Sequence, residues 1–149
     1  MNIQQAIIQI VSGFIGSCGF AILFNIRGLR MAMAGLGGLL SWLLFLLLKL
    51  GITNDAICYL LVAFAVSLFA EAMARLLKTP ATAFIITPLI PLIPGGSLYY
   101  TMAYAFQSDI NKFLEKGIYT IQLAAALAMG IILATTLTKL LMQIIRKSN

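Results

Sequence analysis

The sequence predicts an all-α polytopic membrane protein of about five transmembrane helices. The fourth is expected to be broken at Pro-x-x-Pro-Gly-Gly, with the N-terminus outside and the C-terminus inside. Three observations carry that expectation. Of the 149 residues, 62% are hydrophobic and 9% are charged, against roughly 45–50% and about 25% in ordinary soluble domains. A soluble domain of this size leaves too much surface in water to hide such an excess. The apolar residues also fall into runs of about 20, the length that crosses a hydrocarbon layer as a helix. Finally, Pro88, Pro91 and Pro94, followed by Gly95 and Gly96, interrupt one of those runs. Residues 1–149 therefore read as one integral membrane domain.

The first span covers residues 3–24, with Gln4, Gln5 and Gln9 near its start. No Lys or Arg precedes Arg27. The basic region of a cleaved signal peptide is thus missing, and the run is expected to persist in the mature chain. The second span, 31–50, holds Trp42 and the run Leu43–Leu48. Gly13, Gly16 and Gly19 recur every third position in the first span, and Gly35 and Gly38 repeat that spacing in the second. Small-residue faces of this kind let helices approach closely in lipid, and packing is the expected role.

The third span, 55–77, contains Glu71, the only acid well inside an apolar run. It lies about 9 Å from the end of the run at Leu77. A carboxylate at that depth is costly, and a proton-coupling role is one reading. Arg75 at i+4 offers a structural ion pair as the other. The last span, 118–145, is long enough to tilt or to project from the bilayer.

The fourth span, 82–106, reads Thr-Pro-Leu-Ile-Pro-Leu-Ile-Pro-Gly-Gly-Ser from Thr87 to Ser97. In a straight helix its prolines would leave the carbonyls of Phe84, Thr87 and Ile90 without donors, and each would cost about 3 kcal/mol. The expected outcome is one half-helix before Pro94, a Gly95-Gly96 link, and a second half capped by Ser97. Irregular backbone survives at membrane depth only where protein or water satisfies it, so the break should face the interior. A helix starting near Ser97 would offer unpaired amides and the positive end of its dipole to an anionic group. The candidate substrate-binding residues are therefore Pro94, Gly95, Gly96, Ser97, Tyr99 and Tyr100, joined by Asn25, which either orients a ligand or caps the first helix. Glu71 and Arg75 are the candidates for proton coupling or an ion pair. A merely kinked packing helix, or a re-entrant loop without a ligand, is the plainer alternative.

Charge sets the orientation. With the N-terminus outside, seven basic residues (Arg27, Arg30, Arg75, Lys78, Lys139, Arg146, Lys147) fall inside and three (Lys49, Lys112, Lys116) outside, as the positive-inside rule requires. The net charge of +6 thus belongs to membrane anchoring, and no nucleic-acid partner is expected. There is no histidine, which removes a Ser-His-Asp triad and any His-ligated zinc or haem. Cys18 and Cys58 are too few for a disulfide framework or a zinc cluster. No catalytic residue, metal or cofactor is expected, and the chain does not read as an enzyme.

The stretch Glu71-Ala-Met-Ala-Arg75-Leu-Leu-Lys78-Thr-Pro80, followed by Pro91-Leu-Ile-Pro94-Gly95 and Tyr99, resembles the threonine/serine exporter family. The closest similarity is to the small subunit, which corresponds to the C-terminal half of the single-chain exporters. Gly19-Phe-Ala-Ile-Leu-Phe-Asn25 and the glycine-rich second span fit the same family. The resemblance implies a five-span unit in the bacterial inner membrane that works with a larger membrane subunit. It also implies export of threonine, serine or, in some two-component members, a dicarboxylate such as succinate, dependent on the proton motive force. Two other readings stay open: a homo-oligomeric small multidrug-type exporter, and a non-transport scaffold subunit.

Overall fold

The computed structural model describes residues 3–148, with Ala83 and residues 145–148 by backbone alone. Arg146 and Lys147, which enter the charge bias, thus lie outside the described side chains. The elements are α1 (Ile3–Leu23), α2 (Leu29–Gly51), α3 (Asp55–Leu76), α4 (Ala81–Leu89), a 3-10 turn (Ile90–Leu92), α5 (Gly95–Phe106) and α6 (Ile110–Ser148). Among the described residues there is no strand. Four helices are long and apolar enough to cross a membrane, and α4 with α5 makes a fifth, bent by 52°. A deflection of that size lets α5 advance in the general direction of α4, so the pair reads as one broken crossing.

Local chemistry fixes the helix ends. Asn54 caps α3, its side-chain oxygen accepting from the amides of Ala56 at 3.0 Å and Ile57 at 3.4 Å. Asp109 serves α6 in the same way. Its carboxylate accepts from the Lys112 amide at 3.2 Å and pairs with the Lys112 ammonium at 2.9 Å. That hydrogen bond holds the Asp109 carboxyl below the usual carboxylate range. Three helices end without glycine. Asn25, Lys78 and Ser108 take positive φ of 57°, 49° and 56°. In each case the next amide reaches back five residues: Ile26 to Ala21 at 2.8 Å, Thr79 to Ala74 at 2.9 Å, Asp109 to Tyr104 at 3.1 Å. These are Schellman closures, which satisfy carbonyls that the helix end would otherwise orphan.

Packing follows the small residues. A Cβ added at Gly38 would stand 2.6 Å from the Gly13 carbonyl, and one at Gly13 would stand 2.3 Å from Trp42 Cδ1. Gly13 of α1 and Gly35 and Gly38 of α2 therefore sit in a close helix contact, as expected of them, whereas Gly16 faces Pro91 and Gly19 meets nothing within 4 Å. The α3–α6 crossing is equally tight. A Cβ at Gly130 would meet the Leu60 carbonyl at 2.5 Å. α3 lies centrally, with Val62, Ala63, Val66 and Ala70 buried beside Phe84, Leu89 and Leu92. The outward faces carry rows such as Ile7, Ile15 and Ile22 of α1 and Ile121, Ile132 and Leu140 of α6, all more than half exposed. Soluble proteins rarely expose apolar rows of that extent; hydrocarbon accepts them. α6 starts at Ile110 rather than near Ile118 because Asp109 supplies a cap that makes the intervening polar turns helical.

Candidate functional site

The broken segment is built as two differently housed halves. α4 packs against α1, α2 and α3, whereas α5 packs against α6. Pro88 lies inside α4, and the chain tightens into the 3-10 turn at Ile90–Leu92. In a continuous α-helix the Pro88 carbonyl would accept from the Leu92 amide. The shift to i→i+3 bonding withdraws that donor. The replacement comes from α2: the buried Ser41 hydroxyl donates to the Pro88 carbonyl at 3.1 Å and to the Gly38 carbonyl at 2.8 Å. Close approach at this point needs a glycine. A Cβ at Gly37 would stand 2.6 Å from Pro88 Cγ. On the α1 side, Pro91 sits against Gly16.

The start of α5 differs from the sequence expectation. Pro94, with φ −73° and ψ 56°, is the cap residue and makes no side-chain cap bond, and the helix is already under way at Gly95 and Gly96. Ser97 is thus the third residue of the helix rather than its cap. Pro94 is tolerated where it stands because a residue at the start of a helix has no i−4 bond to lose. The Gly95 amide turns back to the Ile93 carbonyl at 2.6 Å, and the first i→i−4 bond runs from Leu98 to Pro94 at 3.0 Å. The amides of Gly96 and Ser97 precede it. The break is also less enclosed than expected. Pro88, Leu92 and Pro94 are buried, but Gly95 and Gly96 are exposed.

The candidate residues fall into three places. Pro94, Gly95, Gly96 and Ser97 form the break itself. Tyr99 and Tyr100 follow on α5 with 69% and 55% of their surface exposed. Their rings meet edge to face at 5.5 Å, and Tyr104 continues the row. Glu71 and Arg75 form an i,i+4 pair on α3 at 3.3 Å, with the Glu71 side chain the more covered of the two. Glu71 lies about 8 Å from the end of α3, while the 3-10 turn begins about 14 Å into the antiparallel α4 segment. The acid is therefore level with the first turns of α4, not with the break. Asn25 stands at the end of α1, where its left-handed conformation closes the helix. It also lines a cavity with Arg27 and Arg30.

An apolar crevice of about 310 Å³ runs between the broken segment and α6, lined by Ile86, Ile90, Ile93, Pro94, Ala124 and Ala128 among others. It offers a charged solute no hydrogen bonds. Three contributors escaped the sequence reading: Ser41, Gly130, and the grouping of Thr79 with the two arginines. Ser41 had a signal, since it is a lone hydroxyl in an apolar run on the same stripe as Ala34 and Gly38.

A family model described as Threonine/Serine exporter, ThrE, matches residues 9–137, which take in α2 to α5 and most of α1 and α6. Neither a curated protein nor a solved structure gives a significant match.

Proposed function

The chain belongs to the threonine/serine exporter family, and from that premise we propose that it is one subunit of a secondary exporter in the bacterial inner membrane. Its cargo is a small amino acid such as threonine or serine, or a dicarboxylate. Its driving force is the proton motive force, and its partner is a larger membrane subunit. The N-terminus faces out and the C-terminus in, by the seven-to-three bias of basic residues.

One observation carries the reading: the helix restarts at Gly95 within a membrane crossing and leaves the Gly96 and Ser97 amides ahead of its first i→i−4 bond. Such half-helix ends are suited to a solute carboxylate. Tyr99 and Tyr100 stand one turn away with their surfaces uncovered. The polar half of a binding site is nonetheless incomplete. The crevice beside Pro94 is apolar, and Glu71 lies at a different depth. A second membrane chain laid over α5 would cover the tyrosines and supply the missing polar groups.

Labelled threonine, serine and succinate efflux is the test, from cells carrying this chain with its partner. Gly95→Leu is the informative variant because nothing lies within 4 Å of a Cβ at that position. The variant should fold and assemble while export falls. Equal efflux of all three solutes with and without the chain would refute the exporter reading. Loss of assembly together with loss of function would support a scaffold. Drug resistance conferred by the chain alone would support the multidrug type.

Glu71 is proposed as the proton-coupling group, with the ion pair to Arg75 as its resting partner. Glu71→Gln should abolish gradient-driven export and leave assembly intact. Unchanged pH dependence would make the pair purely structural.

A further inference from the structure

The turns after α1 and α3 enclose a cavity of about 190 Å³ lined by Asn25, Arg27, Arg30, Thr79, Pro80 and Phe84 among others. We propose that this cavity binds an oxyanion: the carboxylate of a small solute or the phosphate of an anionic lipid headgroup.

The chemistry of the lining points there. Arg27 and Arg30 face the same space, and neither has an ion-pair partner among the described residues. The acids are engaged elsewhere. Asp55 pairs with Lys49, Glu71 with Arg75, and Asp109 with Lys112. Glu115 lies in the first turns of α6, at the opposite end of the bundle. Two guanidinium groups with no carboxylate beside them present paired N–H donors that fit the geometry of a carboxylate or phosphate.

A second observation is independent of charge. The Thr79 hydroxyl oxygen is buried and has no hydrogen-bond partner. A buried hydroxyl left without a partner is an unusual cost, and turning it into the cavity, which Thr79 also lines, would let an oxyanion accept its proton.

The site is also held in place. The amides of Asn25 and Ile26 bond to the carbonyls of Ile22 and Ala21, and those of Lys78 and Thr79 to Arg75 and Ala74. The walls are therefore anchored turns, and Phe84, 1% exposed, forms an apolar floor. A cavity of this size suits a small anion and excludes a folded partner. By the charge bias this end of the bundle is cytoplasmic. An occupant there is either a solute on its way to the break or a lipid of the inner leaflet.

The test is calorimetric titration of the purified full chain in a neutral maltoside detergent at low salt. The probes are succinate, L-threonine and dihexanoyl phosphatidylglycerol, with dihexanoyl phosphatidylcholine as the uncharged-net control. At least one anionic group should bind. Arg27→Gln with Arg30→Gln should weaken it by about tenfold or more, the scale of a lost charged hydrogen bond. Thr79→Val, which keeps the shape, should weaken it about threefold. Lys139→Gln, a basic change elsewhere, should leave it unchanged. Binding of phosphatidylglycerol alone assigns the site to lipid, and binding of the solutes assigns it to the transported class. The proposal is overturned if no probe binds, if the double arginine variant binds like the parent, or if Lys139→Gln weakens binding equally. Should the double variant lose its helicity, Thr79→Val decides. Because the readout is binding and not efflux, a failed exporter reading and a failed oxyanion site give different results.

Discussion

Ser41→Ala tests how the broken crossing is held. The hydroxyl bridges two carbonyls, and the two are not equivalent. Gly38 lies mid-helix and keeps its own intrahelical donor. Pro88 has lost its donor to the 3-10 turn and depends on Ser41 at 3.1 Å. Removing the hydroxyl leaves a buried carbonyl unpaired, which costs about 1–3 kcal/mol. Interhelical hydrogen bonds in membranes average about 0.6 kcal/mol and reach about 1.7, so a loss of about 1–1.5 kcal/mol is expected. For a chain of this length that is a fall of roughly 3–6 °C in Tm. The control is Ser67→Ala. Ser67 is equally buried, but its hydroxyl has no partner. Its removal should be neutral or slightly stabilising. Both variants are measured by reversible unfolding in mixed micelles and by thermal denaturation in detergent. If Ser41→Ala is no more destabilising than Ser67→Ala, the Pro88 carbonyl does not depend on α2, and the account of the break is wrong.

Other substitutions probe separate contacts. Gly130→Ala places a methyl 2.5 Å from the Leu60 carbonyl, backbone against backbone. A loss of about 1–3 kcal/mol is expected from overpacking, read by the same unfolding assay. Gly19→Ala meets nothing within 4 Å and should stabilise the isolated chain by about 0.5–1 kcal/mol through helix propensity. Asp55→Asn weakens the links that join Lys49 of α2 and Tyr119 of α6 to the start of α3. Faster amide exchange in the first turn of α3 is the expected result. At Asp109 the folded carboxyl titrates below its unfolded value of about 3.9, so its contribution is complete above that pH and lost as pH falls through the lowered value. Protection of the Lys112 amide, measured against its intrinsic exchange at each pH, should fall in acid, and Asp109→Asn should remove that acid-dependent fall.

Much of the architecture was legible because single residue types decide it. Runs of about 20 apolar residues mark spans whatever their neighbours, and three prolines in seven residues forbid a continuous helix. The glycines of α1 and α2 likewise announced a close contact. What stayed hidden depends on residues far apart in sequence. Nothing local ties Ser41 to Pro88, 47 positions on, and Gly130 looks like any helical glycine until the Leu60 carbonyl is set beside it. The cap of α5 was misplaced by three residues because a serine after two glycines resembles an N-cap, whereas Pro94 with its fixed φ already starts the turn. The candidate residues, read as a break with its tyrosines, an acid–base pair on α3 and an asparagine at the end of α1, lie at separate places in the fold. Sequence spacing gives depth along a helix, but not which helix stands opposite at that depth.

α6 runs for 39 residues, about 58 Å at 1.5 Å per residue. The hydrocarbon slab is roughly 30 Å thick. Lys116 and Lys139 are about 35 Å apart along that rod, so the helix carries its own pair of depth marks. In a thinner bilayer the apolar stretch between the two ammonium groups stays covered only if the rod leans further. α5 rests on α6, whereas α4 rests on α1, α2 and α3, so the two halves of the fourth crossing meet that lean through different neighbours.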